Sequence, residues 1–146
     1  MKEVLSVPGG KTQGIIKEYL IHAHPHPRNY KTAKFMAIRE SGGIMDRLYS
    51  IQCEFVLPPK TQYLDKAIDF LNEDAQKRIK GYIAKRAADF GFDEGKEYKF
   101  YLLNVDRELK HLPRTSGALQ GHTYFTLGEL TSGREIVLSE SKLNTK

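Results

Sequence analysis

The sequence predicts an α+β chain: a small, mostly antiparallel, curved sheet or open barrel carrying one or two helices. Three observations predict it. Two β-rich runs, Ala33 to Glu40 and Ile44 to Leu57, flank the turn Ser41-Gly42-Gly43, where glycine supplies the positive φ of a tight hairpin. Between Tyr63 and Phe90 the residues Leu64, Ile68, Leu71, Ala75, Ile79, Tyr82, Ile83 and Ala87 recur at three- and four-residue steps, the period of an amphipathic helix. The remaining β-type runs do not alternate with further helices, which excludes a doubly wound parallel sheet and leaves a sheet closing around or against a helix.

A chain of 146 residues is long enough for one core and too short for two ordinary domains, so a single domain over 1–146 is expected. Hydrophobic residues at 40% and charged residues at 28% exclude a disordered chain. No apolar run reaches the roughly 18 residues that a bilayer crossing needs. The opening Met1-Lys2-Glu3-Val4-Leu5 lacks a signal-peptide core, so a cytoplasmic location without a membrane partner is expected. Cys53 is the only cysteine; it can form no intramolecular disulfide, rules out a cysteine-rich zinc site, and reads as a small core residue.

Taken in order, Val7 to Gly14 is rich in turn formers and reads as a loop. Its Gly-Lys-Thr, residues 10–12, is part of a phosphate-loop pattern, but Leu5 stands where that motif requires its first glycine. The run Ile15 to Ile21 reads as a strand and not as the helix such a loop would open. His22 to Tyr30 contains Pro25 and Pro27, which remove ladder donors, and reads as an extended loop. After the hairpin, the helical region is one helix or two joined near Asn72–Asp74, stopped by Gly91. Glu97 to Val105 reads as a fourth strand. A loop of some fifteen residues follows. Then His122 to Leu127 and Arg134 to Leu138 bracket a short turn or helix around Leu127–Ser132.

Two motifs near opposite ends of the chain resemble those of a known superfamily. The run Ala33-Lys34-Phe35-Met36-Ala37-Ile38-Arg39-Glu40-Ser41-Gly42-Gly43-Ile44, followed by Leu48-Tyr49-Ser50-Ile51, is similar to the early hairpin of PUA-like domains in prokaryotic restriction and defence systems. Gly121-His122-Thr123-Tyr124-Phe125-Thr126-Leu127, continued by Glu129-Leu130, resembles the closing stretch of the same domains. That superfamily includes the EVE, ASCH, YTH and SRA branches, several of which bind RNA or DNA and hold a modified or flipped base in an aromatic pocket. The resemblance implies a reader of this kind, with other subunits or domains of a defence system as further partners. Many such pockets use tryptophan; this chain has none, so any cage must be built from Tyr, Phe, His or Arg.

Charge distribution points the same way from the residues themselves. The net charge is +5, yet residues 60–95 carry seven bases and seven acids, so the excess lies outside the helix. Two stretches lack acids: 23–39, with Arg28, Lys31, Lys34 and Arg39, and 109–128, with Lys110 and Arg114. Brought together, they make the positive surface a phosphate backbone requires. Tyr30, Tyr49, His122 and Tyr124 are the stacking candidates beside them. No cofactor is expected and no catalytic residue is assigned. A metal site on His22, His24 and His26, spaced two apart so that an extended chain would put them on one face, is the alternative. A hydrolase or nuclease using His24, His122 or Glu94 is the first rival, since Glu94 and Lys96 form an ExK tripeptide. A protein-interaction domain is the second rival.

Overall fold

The computed structural model describes residues 1–93 and 95–144. The chain falls into two compact units. The first comprises residues 1–13, 30–51 and 104–146, and the second 14–29 and 52–103. The class is α+β, with six strands in mixed pairing and five short or medium α-helices among the described residues.

In the first unit, β1 (Lys2–Pro8) lies between β3 (Ala33–Arg39) and β6 (Thr123–Phe125), and β3 pairs on its other side with the start of β4 (Arg47–Leu57). β1 runs parallel to β3, with Val4 opposite Phe35, and antiparallel to β6, with Val4 opposite Phe125. The other itemised pair, β3 with β4, is antiparallel, with Met36 opposite Tyr49. Alternation sends Val4, Ala37, Leu48 and Phe125 into one apolar core, which Met45, Leu109, Leu130 and Val137 complete. The hairpin turn is as expected. Gly42 and Gly43 have φ of 81° and 79°, a region closed to most L-residues. Two further helices, α4 (Leu127–Leu130) and α5 (Glu140–Leu143), follow β6. The Thr126 side chain caps α4 by accepting from the Glu129 N–H. Arg134 to Leu138 forms no strand; a lone parallel bridge joins Arg114 and Ile136.

In the second unit the strands β2 (Ile21–Pro25) and β5 (Tyr98–Glu108) pair antiparallel, and the end of β4 lies on the far side of β5. The helical region is divided, as one of the two readings had it: α2 (Leu64–Ala67) precedes α3 (Glu73–Asp89). Asn72 caps α3, its side chain accepting from the Ala75 N–H at 2.8 Å. Gly91 ends the helix with φ 78°. Ile79, Tyr82 and Ile83 pack with Ile21, Ile68, Phe100 and Leu102 in the core of this unit. Cys53 packs against that core, partly buried.

Two readings need correction. Residues 13–19 form α1 (Gln13–Tyr19) and not a strand. Ile15 and Ile16 are both buried, and a helix can bury adjacent β-branched residues on one broad face when packing outweighs their weak helix propensity. A strand, the 3-10 turn Gly10–Thr12 and a helix therefore succeed one another, although Leu5 still departs from the phosphate-loop pattern. His22 to Pro25 belongs to β2 and not to a loop. β2 is an edge strand, and its prolines stand at and beyond its end, where no ladder donor is lost.

Gly81 in α3 offers a test of packing. A Cβ there would lie 2.4 Å from Cε1 of Tyr19, whose ring is packed against the core. Gly81→Ala is expected to lower stability by about 1 kcal/mol net, because overpacking outweighs the helix-propensity gain of about 1 kcal/mol. Urea unfolding measures the sign directly. Among the described residues no helix is long and apolar enough to cross a membrane.

Candidate nucleic-acid interface

The order β6-β1-β3 joins parts of the two acid-free stretches within the first unit. Phe125 points into the core, so its neighbour Tyr124 stands on the opposite face of β6. There the Tyr124 hydroxyl accepts from the Lys31 N–H at 2.8 Å. His122 meets Tyr124 edge-on, with ring centroids 5.5 Å apart and an interplanar angle of 87°. On its other side, the His122 ring lies 4.1 Å from that of Tyr30, tilted by 34°. Three half-buried aromatic rings, in the order Tyr30, His122 and Tyr124, thus form a continuous row.

Cations edge this row. Lys31 and Lys34 are exposed. Lys2 places Nζ 5.5 Å from the Tyr124 ring centroid, within cation–π range, while pairing with Glu140. Lys2, Lys31, Thr123 and Tyr124 line a hollow of about 270 Å³, with Glu140 beside them. Sequence reasoning missed Lys2 because β1 was not read as a strand. The available signal was Val4-Leu5-Ser6-Val7, an apolar run following the basic residue.

Other candidate residues fall elsewhere. Tyr49 is only 2% exposed and sits in the interior, so its ring offers no stacking face. Arg39 is 4% exposed. Its Nη1 donates to Ser6 Oγ at 2.8 Å and its Nη2 to the Gly121 carbonyl. Arg39 is thus an internal tie and not an open phosphate contact, and burial lowers its pKa, opposing the charged form. Lys110 and Arg114 are exposed on the loop after Leu109. The Arg114 backbone is held by a bond from its N–H to the Glu135 carbonyl at 2.7 Å. Arg28 is exposed and belongs to the second unit.

The histidines of that unit do not assemble a metal shell. His24 is 3% exposed and His22 7%. In His24, Nδ1 lies 2.8 Å from the Pro25 carbonyl and Nε2 3.0 Å from the Tyr101 hydroxyl. A neutral ring protonated on Nδ1 satisfies both, donating to the carbonyl and accepting from the phenol. Burial is the first cause that holds the His24 pKa down at about 4. In His22 burial, followed by the neighbouring charges of His24, Arg86 and Arg28, lowers it to about 3. The Nδ1 atoms of His22 and His26 are buried with no hydrogen-bond partner. Among the described residues no three His, Cys, Asp or Glu side chains are grouped to hold a metal ion. Glu94, named for the nuclease rival, lies outside the described residues. Comparison with protein-family models, with curated proteins and with solved structures gives no match to this chain.

Proposed function

We propose that this protein is a nucleic-acid-binding module of the PUA-like kind, which stacks an unpaired or extruded base on the Tyr30–His122–Tyr124 row. One observation carries the reading: segments 92 positions apart in the chain place Tyr30 and His122 ring to ring at 4.1 Å. Aromatic faces flanked by lysines, with no acid in either contributing stretch, suit single strands and flipped bases. Every base has a π-face, and every linkage a negative charge. Lys31 and Lys34 meet phosphates near the stack, and Lys110 and Arg114 of the same unit extend the positive field. The resemblance to PUA-like domains of restriction and defence systems supports the same role, with DNA or RNA as the ligand.

Fluorescence anisotropy with single- and double-stranded oligonucleotides, with and without base modification, over a salt series tests this. Affinity is expected to fall as salt rises, and Lys31→Ala with Lys34→Ala to reduce the logarithmic slope by about one per residue. Tyr30→Ala with His122→Ala is expected to weaken binding at least about tenfold, as loss of base stacking does. Salt-independent signals, or full affinity in the Tyr30/His122 variant, contradict the proposal.

A further inference from the structure

The first unit also contains a cleft of about 630 Å³ whose walls include Lys11, Arg39, Glu40, Gly42, Arg114 and Ser116. Three segments build it: the turn after β1, the hairpin turn at 40–43 and the loop at 114–119. Main-chain bonds hold these segments in place. The Gly9 N–H donates to the Arg39 carbonyl at 3.0 Å, and the Met45 N–H to the Pro113 carbonyl at 3.0 Å. Among the described residues Glu40 is the only acid in the wall, against three bases.

Arg39 is the anomaly. As a residue it is only 4% exposed, and both of its hydrogen-bond partners, Ser6 Oγ and the Gly121 carbonyl, are neutral. Among the described residues no carboxylate pairs with it. Arg78 in the second unit is a purely structural arginine by contrast. It donates to the carbonyls of Tyr19, Leu20 and Leu103, each at 2.8 Å, and has Asp74 at 3.9 Å. A buried cation without counter-charge is costly unless an anion completes it. Arg39 alone of the two stands in the wall of a cleft that also carries Lys11 and Arg114, both exposed. Ser41 and Ser116 also line the cleft, and the Thr115 hydroxyl there donates to the Gly117 carbonyl at 2.6 Å.

We propose that this cleft binds a phosphoryl group, held by Lys11 and Arg114 at its rim, with the buried Arg39 adding positive charge from behind the wall and no direct contact. Neither Tyr30 nor His122 lines this cleft. A free nucleotide and the phosphorylated end of a nucleic-acid strand both present this chemistry.

Isothermal titration with inorganic phosphate, against sodium chloride at matched ionic strength, tests the site in the full chain. Phosphate is expected to bind the unaltered protein. Lys11→Ala and Arg114→Ala, both at exposed positions, are each expected to weaken it about fivefold without shifting the unfolding midpoint. Lys11→Glu combined with Arg114→Glu is expected to abolish binding. Those rim variants decide the matter even if Arg39→Lys fails to fold. Phosphate indistinguishable from chloride, or undiminished affinity in the double reversal, overturns the proposal. Titration with a nucleoside monophosphate and with 5′-phosphorylated and 5′-hydroxyl oligonucleotides then identifies the source, tighter binding of the phosphorylated strand assigning the strand end. Tyr30→Ala with His122→Ala should leave phosphate binding intact. If oligonucleotides bind while phosphate does not, the cleft proposal falls and the stacking reading stands.

Discussion

Acidification from pH 6.5 to 4.5 is expected to destabilise the second unit by on the order of 2 to 3 kcal/mol through His22. The folded-state pKa of His22 is lowered to about 3 from an ordinary 6.5, so the unfolded chain binds the proton that the folded chain refuses. Stability is therefore full above pH 6.5 and falls continuously as the pH drops toward 3, with a slope of about 1.4 kcal/mol per pH unit. His24, held down to about 4, titrates in the same direction. Its ring lies 6.1 Å from that of His22, so the two losses are coupled and not simply additive. Chemical denaturation in the upper half of this window, above the ordinary carboxylate pKa values of about 4, measures the slope. His22→Phe should flatten it, and a nuclear magnetic resonance titration of the His22 ring should show no protonation above pH 5. An unchanged slope in the variant would assign the acid sensitivity to other groups.

Phe100→Ala is expected to be the most damaging single substitution in the same unit, at about 3 to 5 kcal/mol. Phe100 is fully buried. Its ring stacks on Phe55 at 5.7 Å with an interplanar angle of 5°, and meets Tyr82 edge-on at 6.1 Å. Removing it deletes both aromatic contacts and leaves a void between β4, β5 and α3 that large neighbouring rings cannot collapse to fill. Unfolding in guanidinium chloride measures the loss. A cost under about 1 kcal/mol would mean that the site relaxes freely.

What could be read from the sequence follows how local each determinant is. The glycine hairpin and the capped helix α3 were legible because turn residues, cap and period lie within a few positions of one another. β1 was not, although Val4-Leu5-Ser6-Val7 is a short local signal, because its partners are β3 and β6, the latter more than a hundred positions away. α1 was misread because Ile15 and Ile16 favour strands in isolation. Within the candidate site, aromatics and a lysine within acid-free stretches marked Tyr30, Lys31, His122 and Tyr124. Arg39 and Tyr49 carried the same sequence signal yet lie inside. Burial of a polar side chain depends on acceptors such as Ser6 and Gly121 arriving from elsewhere, and charge patterning holds no record of them.

The pairing of Val4 with Phe125 also bears on the order of assembly. As the chain emerges during synthesis, β1 can join β3 once residue 39 is out, but its other edge stays open until residue 125 has appeared. Through that interval the strand presents unsatisfied main-chain groups to whatever is near. Closure of so long a loop makes the docking of β6 a natural late event in folding.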